Sequence, residues 1–125
     1  MSGGELARIW AELRESGMDP LLTKLSQVLL LRTRIERVVE RIPREHVASG
    51  GKSNVPVRLW AVAVAAEPER RAEALTVVRA TRRIYRQTSD FLHARSASVA
   101  PSDAELAAWH ETLTALEALL PESGP

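Results

Sequence analysis

Apolar residues recur at helical spacing from Leu21 to Ile42, and this long amphipathic segment constrains the fold more than any other part of the chain. Its apolar positions share one broad face, as a helix in the core of a bundle requires. Pro20 suits the first turn of this helix, and Pro43 stops it. The apolar positions of the face are Leu21, Leu22, Leu25, Val28, Leu29, Ile35, Val38, Val39 and Ile42.

Two segments near the ends of the chain are also predicted to be helices. A short leading helix covers residues 4–16 and ends near Gly17. The last helix begins after Pro101, where Ser102 and Glu105 have the spacing of a reciprocal capping box. Its buried stripe is predicted to comprise Leu106, Trp109, Leu113, Leu116 and Leu120.

The middle of the chain holds an ambiguous segment followed by a long helix. Residues 56–66 alternate valine with other residues, as a strand does, but a single strand would leave its backbone groups unpaired. We therefore expect a helix there. Pro68 disfavours helix at Glu67, so the chain is expected to break before a long helix that runs from about Glu69 to His93.

Together these segments predict an all-α fold, an antiparallel helical bundle of four main helices plus a short N-terminal helix. A chain of 125 residues has the length of a single domain, and its core is expected at about 20–120. The stretch 43–54 is rich in glycine, serine and charge, so it is expected to be a mobile loop. Residues 121–125 are expected to form a frayed tail.

The composition excludes several kinds of chemistry. The chain contains no cysteine, which excludes disulfide bonds, thiolate zinc sites and cysteine nucleophiles. Its histidines form no pair at i and i+4 on one helix, so neither a metal nor another cofactor is expected. His110 lies beside Trp109 in the sequence and is expected to pack rather than catalyse. The chain has neither an apolar run of the ~20 residues that span a membrane nor the pattern of a signal peptide. We therefore expect a cytoplasmic protein without membrane contact.

Charge is unevenly distributed along the chain, although the formal net charge is only +1. Residues 101–125 carry five carboxylates and no lysine or arginine, whereas residues 70–95 carry seven arginines against only Glu73 and Asp90. Arginine clusters suit phosphate recognition because the planar guanidinium engages two oxygens. Two structural interpretations stay open beside this one: a solvated helix face, and internal partners for the acidic last helix.

On the long helix, the charged residues lie along one line. Steps of about 100° per residue separate an apolar side, which includes Ile84 and Phe91, from a polar side. Arg86 and His93 are seven residues apart and nearly eclipsed on the polar side, with Asp90 between them. His93 is therefore predicted to point away from the core. The arginines on the same side are Arg79, Arg82 and Arg83.

An arginine and a histidine in this arrangement can cleave RNA without a metal. The 2′-hydroxyl next to each phosphate is an internal nucleophile. An imidazole can accept or return its proton near neutral pH, and a guanidinium can stabilise the charge that develops on the phosphate oxygens. One such pair is sparse for a whole active site, so two copies are expected to meet across a two-fold interface.

The segment from Arg86 to His93 resembles the motif of the HEPN superfamily, whose helical bundles carry an arginine, four to six variable residues and then a histidine. By helix order the resemblance extends over residues 20–120. It implies a homodimer with facing motifs and, in active members, a metal-independent endoribonuclease of toxin or antiviral-defence type. His93 would be the acid–base residue and Arg86 the phosphate-stabilising one. The RNA-binding residues are expected to be Arg79, Arg82, Arg83 and Asp90.

Three functions stay open on the sequence alone. The first is HEPN-like action on RNA, with a protein partner such as an antitoxin. The second is a non-catalytic helical module for protein–protein interaction, which docks in a larger assembly through its arginine face or its acidic last helix. The third is a small subunit that coats nucleic acid without cutting it, for which salt-sensitive binding is the expected signature.

Overall fold

The computed structural model describes residues 3–15, 19–42, 55–94 and 99–120, and within these ranges every regular element is a helix. The predicted all-α class is therefore confirmed for this part of the chain. The predicted loop 43–54 and tail 121–125 lie outside the described residues. The α-helices are α1 (Gly3–Glu15), α2 (Pro20–Glu40), α3 (Val55–Arg58), α4 (Trp60–Ala65), α5 (Arg71–Ala94) and α6 (Asp103–Ala118).

Side-chain caps fix the starts of α2 and α6. The Asp19 carboxylate accepts hydrogen bonds from the backbone N–H groups of Leu21 (2.9 Å) and Leu22 (3.3 Å), so it satisfies donors that the first helical turn leaves free. At α6 the predicted capping box is confirmed. The Glu105 N–H donates to Ser102 Oγ at 3.1 Å, and the Ser102 N–H donates to Glu105 Oε1 at 3.0 Å.

The segment 56–66 is helical, as expected, but it is divided into two short helices. A turn at the fully buried Leu59 separates α3 from α4, and Val62 N–H bonds to Leu59 O only three residues back. The second of the four predicted main helices is therefore not continuous. The predicted break before Pro68 is present, because Ala66 has extended backbone and a 3₁₀ turn, Pro68–Arg70, leads into α5.

The long helix α5 packs against α2, α4 and α6, and α1 packs against α2. Lys24 near the start of α2 donates to Pro101 O just before α6, and Arg41 just after α2 donates to Leu120 O just after α6. These two helices therefore run in the same direction. Arg70, just before α5, donates to Ala118 O at the end of α6, so α5 runs opposite to α6.

The hydrophobic core lies where α2, α4, α5 and α6 meet. The apolar side predicted for α5 is the side that is buried, with Ile84 and Phe91 almost fully covered. The predicted stripe of α6 is buried over its whole length. Because the apolar side of α5 packs into the core, the polar side of this helix faces outward.

No helix in the described ranges is both long enough and apolar enough to cross a membrane.

Candidate functional site

The outward side of α5 carries a stripe of five exposed polar residues, which we call the α5 stripe: Arg79, Arg83, Arg86, Asp90 and His93. They follow one another at steps of three or four residues, the spacing that keeps side chains on one face of a helix. At 1.5 Å per residue, Arg86 and His93 are about 10 Å apart along the helix axis. The structure thus places the sequence-predicted pair on one solvent-facing line.

The side chains of the α5 stripe make no hydrogen bond or ion pair with any residue that the structure describes. Three of the five are arginines, and only Asp90 among them is negative. Their guanidinium donors are therefore available to an anion from outside the chain. No acidic residue of α6 neutralises them, so the interpretation of these arginines as internal partners of α6 does not apply to the stripe.

Arg82 lies apart from the stripe, although the sequence assigns it to the same face. Its guanidinium carbon lies 4.5 Å from the centre of the Trp60 ring on α4, which is a cation–π contact. The side chain is half-buried, and its Nε is buried without a hydrogen-bond partner. Packing against α4 therefore makes Arg82 an internal contact rather than a member of the exposed face.

Arg32 on α2 contributes a further positive charge at the edge of α5, and sequence reasoning missed it. It donates to Ser89 Oγ at 2.7 Å, to Thr88 Oγ1 at 3.1 Å and to the Tyr85 hydroxyl at 2.9 Å. Its guanidinium also lies 4.1 Å from the centre of the Tyr85 ring. All these partners are uncharged, so the positive charge of Arg32 is not cancelled by them. Ser89 lies between Arg86 and His93 in sequence, which brings this charge close to the stripe.

A polar cluster that sequence reasoning missed joins α2 to α6. Arg34 forms an ion pair with Glu117 through Nη2 and Oε1 at 2.6 Å, and its Nε donates to Oε2 at 3.2 Å. Its Nη1 lies 2.8 Å from His110 Nδ1. The Arg34 side chain is only 11 % exposed and that of Glu117 is 34 % exposed, so the pair is partly shielded from water. Arg34, which lies outside the arginine-rich segment 70–95, is thus an internal partner of the acidic last helix.

The contact with Arg34 fixes the protonation state of His110. An arginine can only donate, so His110 Nδ1 must accept and the ring proton must lie on Nε2. Burial lowers the pKa of His110 below its ordinary value, and the nearby Arg34 charge lowers it further, while Glu117 and Glu111 oppose the shift. The neutral ring also packs against Trp10 of α1, with the ring centres 5.7 Å apart. The expectation that His110 packs is supported, and the ring additionally ties three helices together.

A small cavity of about 130 Å³ lies beside this cluster, lined by Leu6, Trp10, Arg34, His110 and Glu117 among others. The polar groups on its wall already satisfy one another. Within the described ranges, no group of three or more histidine, aspartate or glutamate side chains could hold a metal ion.

No protein-family model, curated protein or solved structure matches this chain. The chemistry of the exposed residues therefore has to carry the functional interpretation.

Proposed function

We propose that the protein acts on RNA through the α5 stripe, as a HEPN-like, metal-independent endoribonuclease that works as a homodimer. In this proposal the helices form a bundle of the kind that the HEPN resemblance implies, with α5 antiparallel to α6 and α2 parallel to it. His93 is the acid–base residue and Arg86 binds the scissile phosphate. Arg79 and Arg83 attract the neighbouring backbone phosphates.

The observation that carries the proposal is the contrast between engaged and free arginines. Arg34 is bonded to Glu117, Arg70 to Glu73 and Ala118, and Arg82 lies on Trp60. The arginines of the α5 stripe make no such contact with described residues, and they share their line with His93. A row of unneutralised guanidinium groups on a rigid helix suits a polyanion, because each group can engage two phosphate oxygens.

The proposed cleavage uses only the side chains of His93 and Arg86 and the 2′-hydroxyl of the RNA. A neutral His93 takes the proton of the RNA 2′-hydroxyl, whose oxygen attacks the adjacent phosphorus. The bond from phosphorus to the 5′-oxygen breaks, and a cyclic phosphate remains on the upstream fragment. Arg86 stabilises the extra negative charge on the phosphate oxygens during this step. The departing 5′-oxygen requires a proton, and a protonated imidazole can supply it.

The need for both a base and an acid motivates the homodimer. One chain offers a single histidine on the stripe, and that residue cannot accept one proton and deliver another in the same step. A two-fold interface that faces two α5 stripes brings together two copies each of His93 and Arg86. One imidazole then acts as the base while the other acts as the acid. In this proposal Asp90, three residues before His93 on the stripe, offsets part of the charge of the imidazolium without a direct hydrogen bond to it.

The test is cleavage of labelled single-stranded RNA by the purified protein in excess EDTA. We expect wild type to cut the RNA and His93→Ala to lower the rate by about 10²-fold or more, as the loss of a general acid–base does. Arg86→Ala should lower the rate by a similar factor, because it removes a charge from the transition state. The matched control is Arg71→Ala, which removes an exposed arginine from the same helix outside the stripe.

Retained activity in His93→Ala would sink the assignment of the catalytic pair. Absence of cleavage by wild type would contradict the nuclease proposal and favour the non-catalytic interaction module. The binding role of Arg79 and Arg83 is tested separately, from the salt dependence of RNA affinity in His93→Ala. Replacing each arginine with alanine should lower the slope of log affinity against log salt by about 1, as expected for one lost phosphate contact.

A further inference from the structure

A second concave surface, separate from the α5 stripe, lies between α1, α2 and α6. It is an open groove of about 880 Å³, within the range of ~300–1,000 Å³ that is usual for ligand sites. Its wall includes Trp10 from α1, Gln27 from α2, and Asp103 and Glu111 from α6. We call it the α1–α6 groove. An indole, an amide and two carboxylates therefore face one space.

The strongest indication of a ligand is the state of Gln27. This residue is only 6 % exposed, yet its amide makes no hydrogen bond with any residue that the structure describes. Its amide atoms reach the open space of the groove, since they are not among the fully covered side-chain atoms that lack a partner in the described part of the chain. Most side-chain amides of residues so nearly covered are paired within the protein. The position of Gln27 on the groove wall leaves its amide free for a molecule in the groove.

The two carboxylates of the α1–α6 groove are also free. Glu105 and Glu117 on the same helix are used in the capping box and the Arg34 ion pair. Asp103 and Glu111 are exposed and make no hydrogen bond or ion pair with described residues. The lysine on the groove wall, Lys24, donates to Pro101 O at 2.8 Å. Two carboxylates against one ammonium leave the groove negative.

We propose that the α1–α6 groove binds an alkyl guanidinium group. This group is planar, so one face can lie on the Trp10 indole while its edge donates to the Gln27 oxygen and to a carboxylate of the groove wall. The second carboxylate adds to the negative potential of the groove. An ammonium has no planar face to stack and spreads its donors in three directions, so it fits the same wall less completely.

The guanidinium could come from a small guanidine or from an arginine side chain of a partner protein, and the two sources share the same chemistry at the groove. The second source would give the chain a protein-docking site on the acidic last helix, in addition to its action on RNA. The groove and the α5 stripe have no residue in common. Binding at the groove can therefore be tested without RNA.

The experiment titrates the full chain with agmatine, a small guanidine, and follows tryptophan fluorescence and heat release. The matched control ligand is N-carbamoylputrescine, which keeps the chain length and the ammonium of agmatine but replaces the guanidinium with a neutral urea. A second arm uses a capped Gly-Arg-Gly peptide and its citrulline counterpart. The variants are Gln27→Leu and the double variant Asp103→Asn with Glu111→Gln. Glu36→Gln, an exposed carboxylate of α2 outside the groove, is the control variant.

We expect saturable binding of agmatine, with the urea at least about tenfold weaker because the charge and the donor fork are lost. Gln27→Leu should weaken agmatine by about tenfold, because it removes the amide oxygen that accepts from the guanidinium, and an unchanged melting temperature would show that the variant is folded. The double variant should weaken binding at least as much, and Glu36→Gln should not change it. Tighter binding of the peptide than of agmatine would identify a protein partner as the source.

Two results would overturn the proposal. The first is equal affinity for each guanidine and its urea counterpart, because binding would then not depend on the guanidinium. The second is absence of binding by both agmatine and the arginine peptide at millimolar concentration. The double variant changes only exposed side chains, so it tests the groove even if Gln27→Leu fails to fold.

Discussion

The Arg34–Glu117 ion pair should contribute measurably to stability, unlike most pairs at a protein surface. We consider a double-mutant cycle with Arg34→Met and Glu117→Gln, because both changes remove charge while keeping the approximate size of the side chain. The pair has two short contacts, 2.6 Å and 3.2 Å, which match the paired geometry that strengthens arginine–carboxylate bonds. The cycle isolates the coupling between the two residues from their other contacts.

The magnitude follows from the shielding of the pair. A hydrogen bond to a charged group contributes about 1.5–3 kcal/mol, whereas an exposed ion pair contributes at most about 1 kcal/mol. Arg34 is 11 % exposed and Glu117 is 34 % exposed, so water weakens the pair only in part. We expect a coupling energy of about 2 kcal/mol. Arg34→Met alone should cost about 3 kcal/mol, because it also removes the bond to His110 and leaves the carboxylate unpaired.

The free energies of unfolding come from urea titrations followed by circular dichroism at pH 7.5. In thermal melts, a loss of 3 kcal/mol should lower the melting temperature by about 10 °C for a chain of this size. Arg8→Met on α1 is the matched control, since Arg8 is exposed and should change stability by less than about 0.5 kcal/mol. A coupling energy below about 0.5 kcal/mol would contradict this expectation, because the pair would then behave as a screened surface pair.

Three further predictions concern single residues. Folding lowers the pKa of His110 below 6.5, so the unfolded chain binds more protons than the folded chain near that pH. The free energy of unfolding should therefore fall as pH drops below about 6.5. His110→Asn keeps an acceptor for Arg34 and should remove this part of the pH profile in urea titrations. Phe91→Ala should destabilise the chain by about 3–5 kcal/mol in the same assay, since the ring is 1 % exposed in the core. Ser102→Ala should cost about 1 kcal/mol through loss of the α6 cap, and the more conservative Ser102→Thr should cost less.

Local patterns in the sequence were sufficient to predict the main helices. The apolar faces of α2, α5 and α6 repeat at the helical period because each buries one side against the same core, so Ile35, Phe91 and Leu113 can be assigned without knowing their neighbours. The cap of α6 could be predicted for a similar reason, since Ser102 and Glu105 are three residues apart. The turn at Leu59 could not, because the segment contains no glycine there and the side chain continues the apolar pattern.

The helical periodicity of apolar residues could not predict which side chains meet between helices that are far apart in the sequence. Arg34 and Glu117 are 83 residues apart, and their pairing depends on the register of α2 against α6. The helical projection of α5 puts Arg82 on the polar side of the helix, but Trp60 of α4 packs against the Arg82 guanidinium. Gln27 follows another polar residue, Ser26, and only the arrangement of three helices shows that it is almost fully covered on a groove wall, without a hydrogen-bond partner among the described residues. The exposure of Arg86 and His93 could be predicted because it follows from which side of α5 is apolar, and both residues are exposed as the helical projection indicates.

The central claim is that the α5 stripe cleaves RNA by means of the RNA's own 2′-hydroxyl. The most direct measurement incubates wild-type protein in excess EDTA with a single-stranded RNA and with the DNA strand of the same sequence, and identifies the products by mass. We expect the RNA to be cut to fragments ending in a cyclic phosphate and the DNA to stay intact, since DNA lacks the nucleophile. Cleavage of both strands, or of neither, would contradict it.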